Sequence, residues 1–120
     1  MNVDKIYEEF KSWLYSVIED DPIPYEIKSL VFFINDNFEI GFSGFEEKSI
    51  SVIDYGFYFP QDAEFFHCKE LYMFFKKQNF NAENVLHFVK ILLKNLKKDA
   101  YFGKFIIFYG ILFKNAKILN

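Results

Sequence analysis

A chain of 120 residues, 52% hydrophobic and 26% charged, is long enough for one domain with a real core and too apolar to be disordered. Its formal net charge of −3, with lysine as its only strong cation and no arginine, argues against nucleic-acid binding, which rests on cations and most often on arginine's bidentate fork. The lone cysteine, Cys68, excludes an internal disulfide, and the N-terminal stretch MNVDKIYEEFKSW has no apolar core of a secretory signal, so a cytoplasmic location is expected.

Residues 3–20 predict an amphipathic helix: Val3, Ile6, Tyr7, Phe10, Leu14, Val17 and Ile18 recur at three- and four-residue spacing, with Trp13 flanking the stripe. DDPIP at 20–24 ends it, because proline cannot continue a helix and biases the residue before it away from helical angles. YEIKSLVFFI at 25–34 reads as a strand, apolar on both faces after Ser29 and so interior to a sheet. NDN at 35–37 is turn chemistry, and FEIGFSGF alternates cleanly, with Phe38, Ile40 and Phe42 on one face and Glu39, Gly41 and Ser43 on the other. After a second turn at 45–48, SISVIDYGFYF at 49–59 reads as a third strand, completing an antiparallel meander closed by Pro60.

Residues 61–78 are ambiguous. Phe65, Cys68, Leu71 or Tyr72, and Phe75 suit helical spacing with Asp62 as a cap, while the aromatic density of FHCKELYMFF also suits a strand; helix is the preferred reading. Residues 82–98 carry the clearest helical stripe, from Val85 to Leu96, with Asn81 as its cap. The run FIIFYGILF at 105–113 is far short of the roughly 20 residues a spanning helix needs. Bounded by Gly103, Lys104 and Lys114, it reads instead as a strand over 104–112, covered on both faces, with FKNAKIL turning back as a short last strand. Residues 1–120 therefore form one α+β domain: a mainly antiparallel sheet, made of a three-strand meander plus a C-terminal strand or hairpin, with the N-terminal helix and one or two further helices on one face.

No catalytic constellation emerges. GFSG at 41–44 lacks the spacing of a nucleophile elbow, and Ser43 sits in a strand. His67, Cys68 and His87 are too few and too badly spaced for a structural zinc site, even with Asp62 and Glu64 added; a thiol–imidazole pair of Cys68 and His87 would need their two helices face to face. The acids Glu8–Glu9, Glu19–Asp20–Asp21 and Glu46–Glu47 lie in turns or on a solvated helix face. Lys90, Lys94, Lys97 and Lys98 complement the end of a helix dipole. No phosphate loop is present, and no cofactor or metal is expected.

The aromatic share is the outlier. Eighteen Phe, eight Tyr and one Trp make up 22% of the chain, a load that either fills the core or leaves rings at the surface as a partner contact. The candidate partner residues are Trp13, Asp54, Tyr55, Phe57, Tyr58 and Phe59. Asp54 is included because an acid on an otherwise apolar strand face must be paired or lie at the margin.

The stretch IPYEIKSLVFFINDNFEIGFSGFE, preceded by an amphipathic helix, together with GKFIIFYGILFKNAKIL near the end, resembles small bacterial proteins of the immunity type. That resemblance implies a non-enzymatic protein that binds and neutralises a cognate toxin. The residues themselves lead to a non-catalytic cytoplasmic protein-binding protein that touches neither nucleic acid nor membrane. Two alternatives stay open: a homo-oligomeric structural protein, and a small ligand-binding domain or enzyme built around His67, Cys68 and His87.

Overall fold

The computed structural model describes residues 2–61 and 65–120. Helix α1 runs Val3–Asp20, capped where the Asn2 side chain accepts the Lys5 N–H; strands β1 (Ser29–Ile34) and β2 (Ile40–Phe45) follow. Helix α2 spans Lys69–Lys77 and α3 spans Ala82–Leu96, the latter opened by a reciprocal capping box between Asn81 and Asn84. A single 3₁₀ turn, Phe102–Lys104, leads into β3 (Ile106–Ile111), and β4 (Lys117–Ile118) closes the chain.

The four strands form one sheet in the order β2-β1-β3-β4. β1 pairs antiparallel with β2, but β1 and β3 are parallel, Val31 facing Phe108 and Phe33 facing Gly110. The sheet is thus mixed, a correction to the mainly antiparallel sheet expected from the sequence. The reason lies in the connection: the long segment carrying α2 and α3 returns the chain to the end of the sheet where β1 began. β1 and β3 are the two inner strands, which explains why SLVFFI and IIFYGI show no polar alternation.

Each face of the sheet has its own cover. Leu30, Phe32, Ile34, Ile40, Phe42, Ile107 and Tyr109 join Ile6, Phe10, Leu14 and the buried stripe of α3 in the main core, so the helices do pack on one face. The other face, Val31, Phe33 and Phe108, is closed by Ile53, with Ile50, Phe59 and Phe65 around it. Of these covering residues, Ile50, Ile53 and Phe59 come from the segment expected to be the third meander strand.

That third strand does not form. Asp54 turns the chain, its Oδ1 accepting the Gly56 N–H at 2.8 Å, and Gly56 takes φ +62°, which breaks an extended run. The segment lies across the sheet instead of extending it. Ile53 exchanges backbone bonds with Lys114 and Phe113 at one side (2.8 Å each), and Tyr58 exchanges bonds with Gly44 at the other (2.7 and 3.0 Å). Gly110 lets it lie close: a Cβ there would come within 2.5 Å of the Ile53 side chain. The 61–78 helix is also corrected. Phe66 is extended and bridged to Ile40, and α2 starts only at Lys69 after Cys68, so both readings of that segment hold in part. Asp62 and Glu64 lie outside the described residues.

α1 and α3 are tied by polar groups at the rim. The Tyr15 hydroxyl donates to Asp99 Oδ2 at 2.7 Å, as do the N–H groups of Tyr101 and Phe102 at 3.0 and 3.1 Å. Burial alone raises the Asp99 carboxyl, but these donors outweigh it and leave it below the usual carboxylate value. Tyr15 moves the other way, pushed up to about 12 chiefly by its bond to Asp99. The Asp99 contribution to stability is present above the ordinary carboxylate pKa and is lost as acid titrates its lowered folded value. The Tyr15 contribution is present below pH 10 and is lost between 10 and about 12. Replacing Tyr15 by Phe should lower stability by about 1 kcal/mol near neutrality in urea titrations. The deficit relative to wild type should shrink toward both pH extremes; a deficit constant across pH would mean that it does not arise from the bond to the Asp99 carboxylate.

Candidate functional site

The end of α1 and the crossing segment together form an open groove of about 580 Å³. One wall is Trp13, Asp20 and Asp21; the other is Phe57, Tyr58 and Phe59. Trp13 is held by Phe10, Phe42 and Phe66, with ring centroids 5.8–6.1 Å away. Its indole is a fixed platform, half-buried on the core side.

The opposite wall is equally fixed. The Tyr58 hydroxyl donates to the Asp21 carbonyl at 2.7 Å, joining the segment to the C-terminus of α1. Burial, and then the negative charge of Asp21, hold the Tyr58 phenol well above its usual pKa, so it stays a donor. Ser43, fully buried, donates to the Asp54 carbonyl at 2.9 Å. That bond explains the serine in a strand face and leaves its hydroxyl occupied as a structural donor.

On this scaffold Phe57 stands 62% exposed. The aromatic surface continues beyond the groove: Phe59 contacts Tyr55 at 4.3 Å between centroids, and Tyr55 contacts Phe113 at 6.2 Å. Phe113 is 63% exposed and held at φ +65° by the turn after β3. Tyr55, Phe57 and Phe113 thus leave large areas of ring in water on this side of the molecule.

Charge is distributed against the interest of the helix. Glu19 and Asp20 end α1 and Asp21 caps it, with no basic residue in the last turn. The C-terminus of a helix is the negative end of its dipole, so these carboxylates destabilise it, each by roughly 0.3–1 kcal/mol. Among the described residues lining the groove there is no lysine to neutralise Asp20 and Asp21.

Of the six residues expected to meet a partner, Trp13, Phe57, Tyr58 and Phe59 line this groove, and Tyr55 extends it through Phe59. Asp54 does not line it; its carboxylate makes the turn to Gly56. Tyr58 is nearly buried and acts mainly as a strut. The sequence reading missed Asp20 and Asp21, treated as solvated turn residues, although acids at a helix C-terminus were the available signal. It also missed Phe113, hidden in the last turn.

His67, Cys68 and His87 each have surroundings of their own. Cys68 Sγ lies 3.7 Å from Glu9 Oε2, and burial, then the Glu9 charge, keep its thiol above the usual value despite backbone donors that pull it down. His67 stands 3.6 Å from Glu39, and His87 is exposed on α3. Among the described residues no group of three His, Cys, Asp or Glu side chains is placed to hold a metal ion. Nor is any helix among them long and apolar enough to cross a membrane. Comparison with protein-family models, with curated proteins and with solved structures finds no match for this chain, so its function is read from its own geometry.

Proposed function

We propose that this chain is a non-catalytic cytoplasmic protein that binds a basic protein partner through the groove between the end of α1 and residues 55–61. The observation that carries this reading is the pairing of rigidly held exposed rings with carboxylates that destabilise the helix bearing them. Rings on a fixed backbone lose little conformational freedom when buried and make good anchors. Uncompensated aspartates beside them attract a cationic partner and speed its arrival. Neutralising a toxin, as the resemblance to immunity-type proteins implies, is one form of such binding.

A two-fold self-association through the same groove is disfavoured, because an isologous contact sets a surface against its own copy. Asp20 and Asp21 would then face like charges.

The test uses the tagged full chain expressed in its source cells, beside an Asp20→Lys, Asp21→Lys double variant. The wild type should co-purify with one stoichiometric basic protein, and the variant should lose it. The variant should also be more stable than wild type, by about 0.5–1 kcal/mol, because lysine suits a helix C-terminus. A partner retained in full by the stabilised variant would contradict the proposal.

A further inference from the structure

On the other side of the loop at Pro24 lies a second cavity, of about 590 Å³, with the opposite character. Among the described residues its walls carry three lysines, Lys28, Lys48 and Lys104, and no carboxylate. In a chain of net charge −3 that is a local reversal of sign. Neither acid of the adjoining loop, Asp21 or Glu26, lines it.

The three lysines rise from anchored backbone. The Lys28 N–H donates to the Phe45 carbonyl at 2.9 Å, and its own carbonyl accepts the Ile106 N–H at 3.0 Å. Lys48 follows a turn held by the Ser29 hydroxyl, which donates to the Glu47 carbonyl at 2.6 Å. Lys104 closes the 3₁₀ turn before β3, its ammonium 5.1 Å from the Tyr101 ring. Between them the lining is apolar and aromatic, with Phe105 and Tyr101 inside and Tyr25 at the mouth. Tyr25 is 91% exposed, the most exposed of the large apolar side chains among the described residues.

Small-molecule sites occupy roughly 300–1,000 Å³, mostly apolar with a few convergent polar groups. Three cations at the rim of an aromatic cleft suit a ligand with several negative charges and a flat ring. A flat ring can stack on an exposed tyrosine whatever its hydrogen-bonding edge, and lysines meet phosphate as point charges. We infer that this cavity binds a nucleoside polyphosphate, the phosphates between Lys28, Lys48 and Lys104 and the base on Tyr25. The site is separate from the partner groove and stands whether or not that groove binds a protein.

The experiment is calorimetric titration of the full chain with ATP, adenosine and inorganic tripolyphosphate, in low salt without added metal. ATP should bind one to one, more tightly than either fragment. Lys104→Gln and Lys28→Gln should each weaken it about tenfold, as a hydrogen bond to a charged group would. Tyr25→Ala should weaken ATP by roughly five- to a hundredfold, with tripolyphosphate unaffected. All three side chains are exposed, so circular dichroism and melting should match wild type. No heat of ATP binding up to about millimolar concentration, where affinity has fallen to some 4 kcal/mol, would overturn the inference. So would tripolyphosphate matching ATP, or ATP binding indifferent to these substitutions.

Discussion

Replacing Phe32 by alanine should destabilise the protein by about 3–5 kcal/mol, measured as the shift in urea unfolding. Phe32 is fully buried at the middle of β1, stacked on Phe42 at 5.6 Å and edge-on to Phe10 at 5.9 Å. It joins the sheet to α1, so its loss opens a cavity walled by side chains on two elements that cannot both close in. A domain has only about 5–15 kcal/mol in total, so this variant should lie near the limit of folding. The contrast is Phe113→Ala, an equally large truncation of a ring that is 63% exposed, expected to change stability by no more than about 0.5 kcal/mol. Equal costs at the two sites would mean that the division between core rings and surface rings is wrong.

Phe57→Ala should reverse that pattern. The fold should hardly notice it, since the ring is mostly in water. Affinity for the co-purified partner should fall by about 2 kcal/mol or more, a factor of roughly 30, mainly through faster dissociation. The reasoning rests on placement: Phe57 lines the groove across from Trp13 and Asp20, on a segment held at both ends, by Ile53 against Phe113 and Lys114 and by Tyr58 against Gly44. Truncation removes contact area from one wall of the groove without loosening that wall. Titration of the purified partner against both proteins measures the difference, and an affinity within twofold of wild type would remove Phe57 from the interface.

Helices α1 and α3 and the inner strands were legible because their signals are local. The stripe of α1, the Asn81 cap and the uniformly apolar FIIFYGILF each declare themselves within a dozen residues, and each lies where its pattern predicts. The direction of β3 was not legible. A run apolar on both faces says that a strand is interior, not which way it points, and that was decided by a long connection through two helices. SISVIDYGFYF misled because alternation of apolar residues is shared by a strand and by a segment lying across a sheet. The turn at Asp54 and Gly56 was the signal against a strand. The groove was half legible. Excess rings pointed to residues 55–59 and Trp13, but the meeting of that segment with Asp20 and Asp21 is a tertiary fact. The lysine cavity was not legible at all: Lys28, Lys48 and Lys104 are far apart in the chain and meet only through the pairing of β1 with β2 and β3.

Amide hydrogen exchange, followed along the whole chain with and without its co-purified partner, bears most directly on the claim that the groove is the docking surface. Binding should slow exchange at the end of α1, over residues 13–21, and across residues 55–61, with the outward face of α2 and α3 around Met73 and Ile91 unchanged. Protection confined to α2 and α3, leaving the groove as exchangeable as in the free protein, would contradict it.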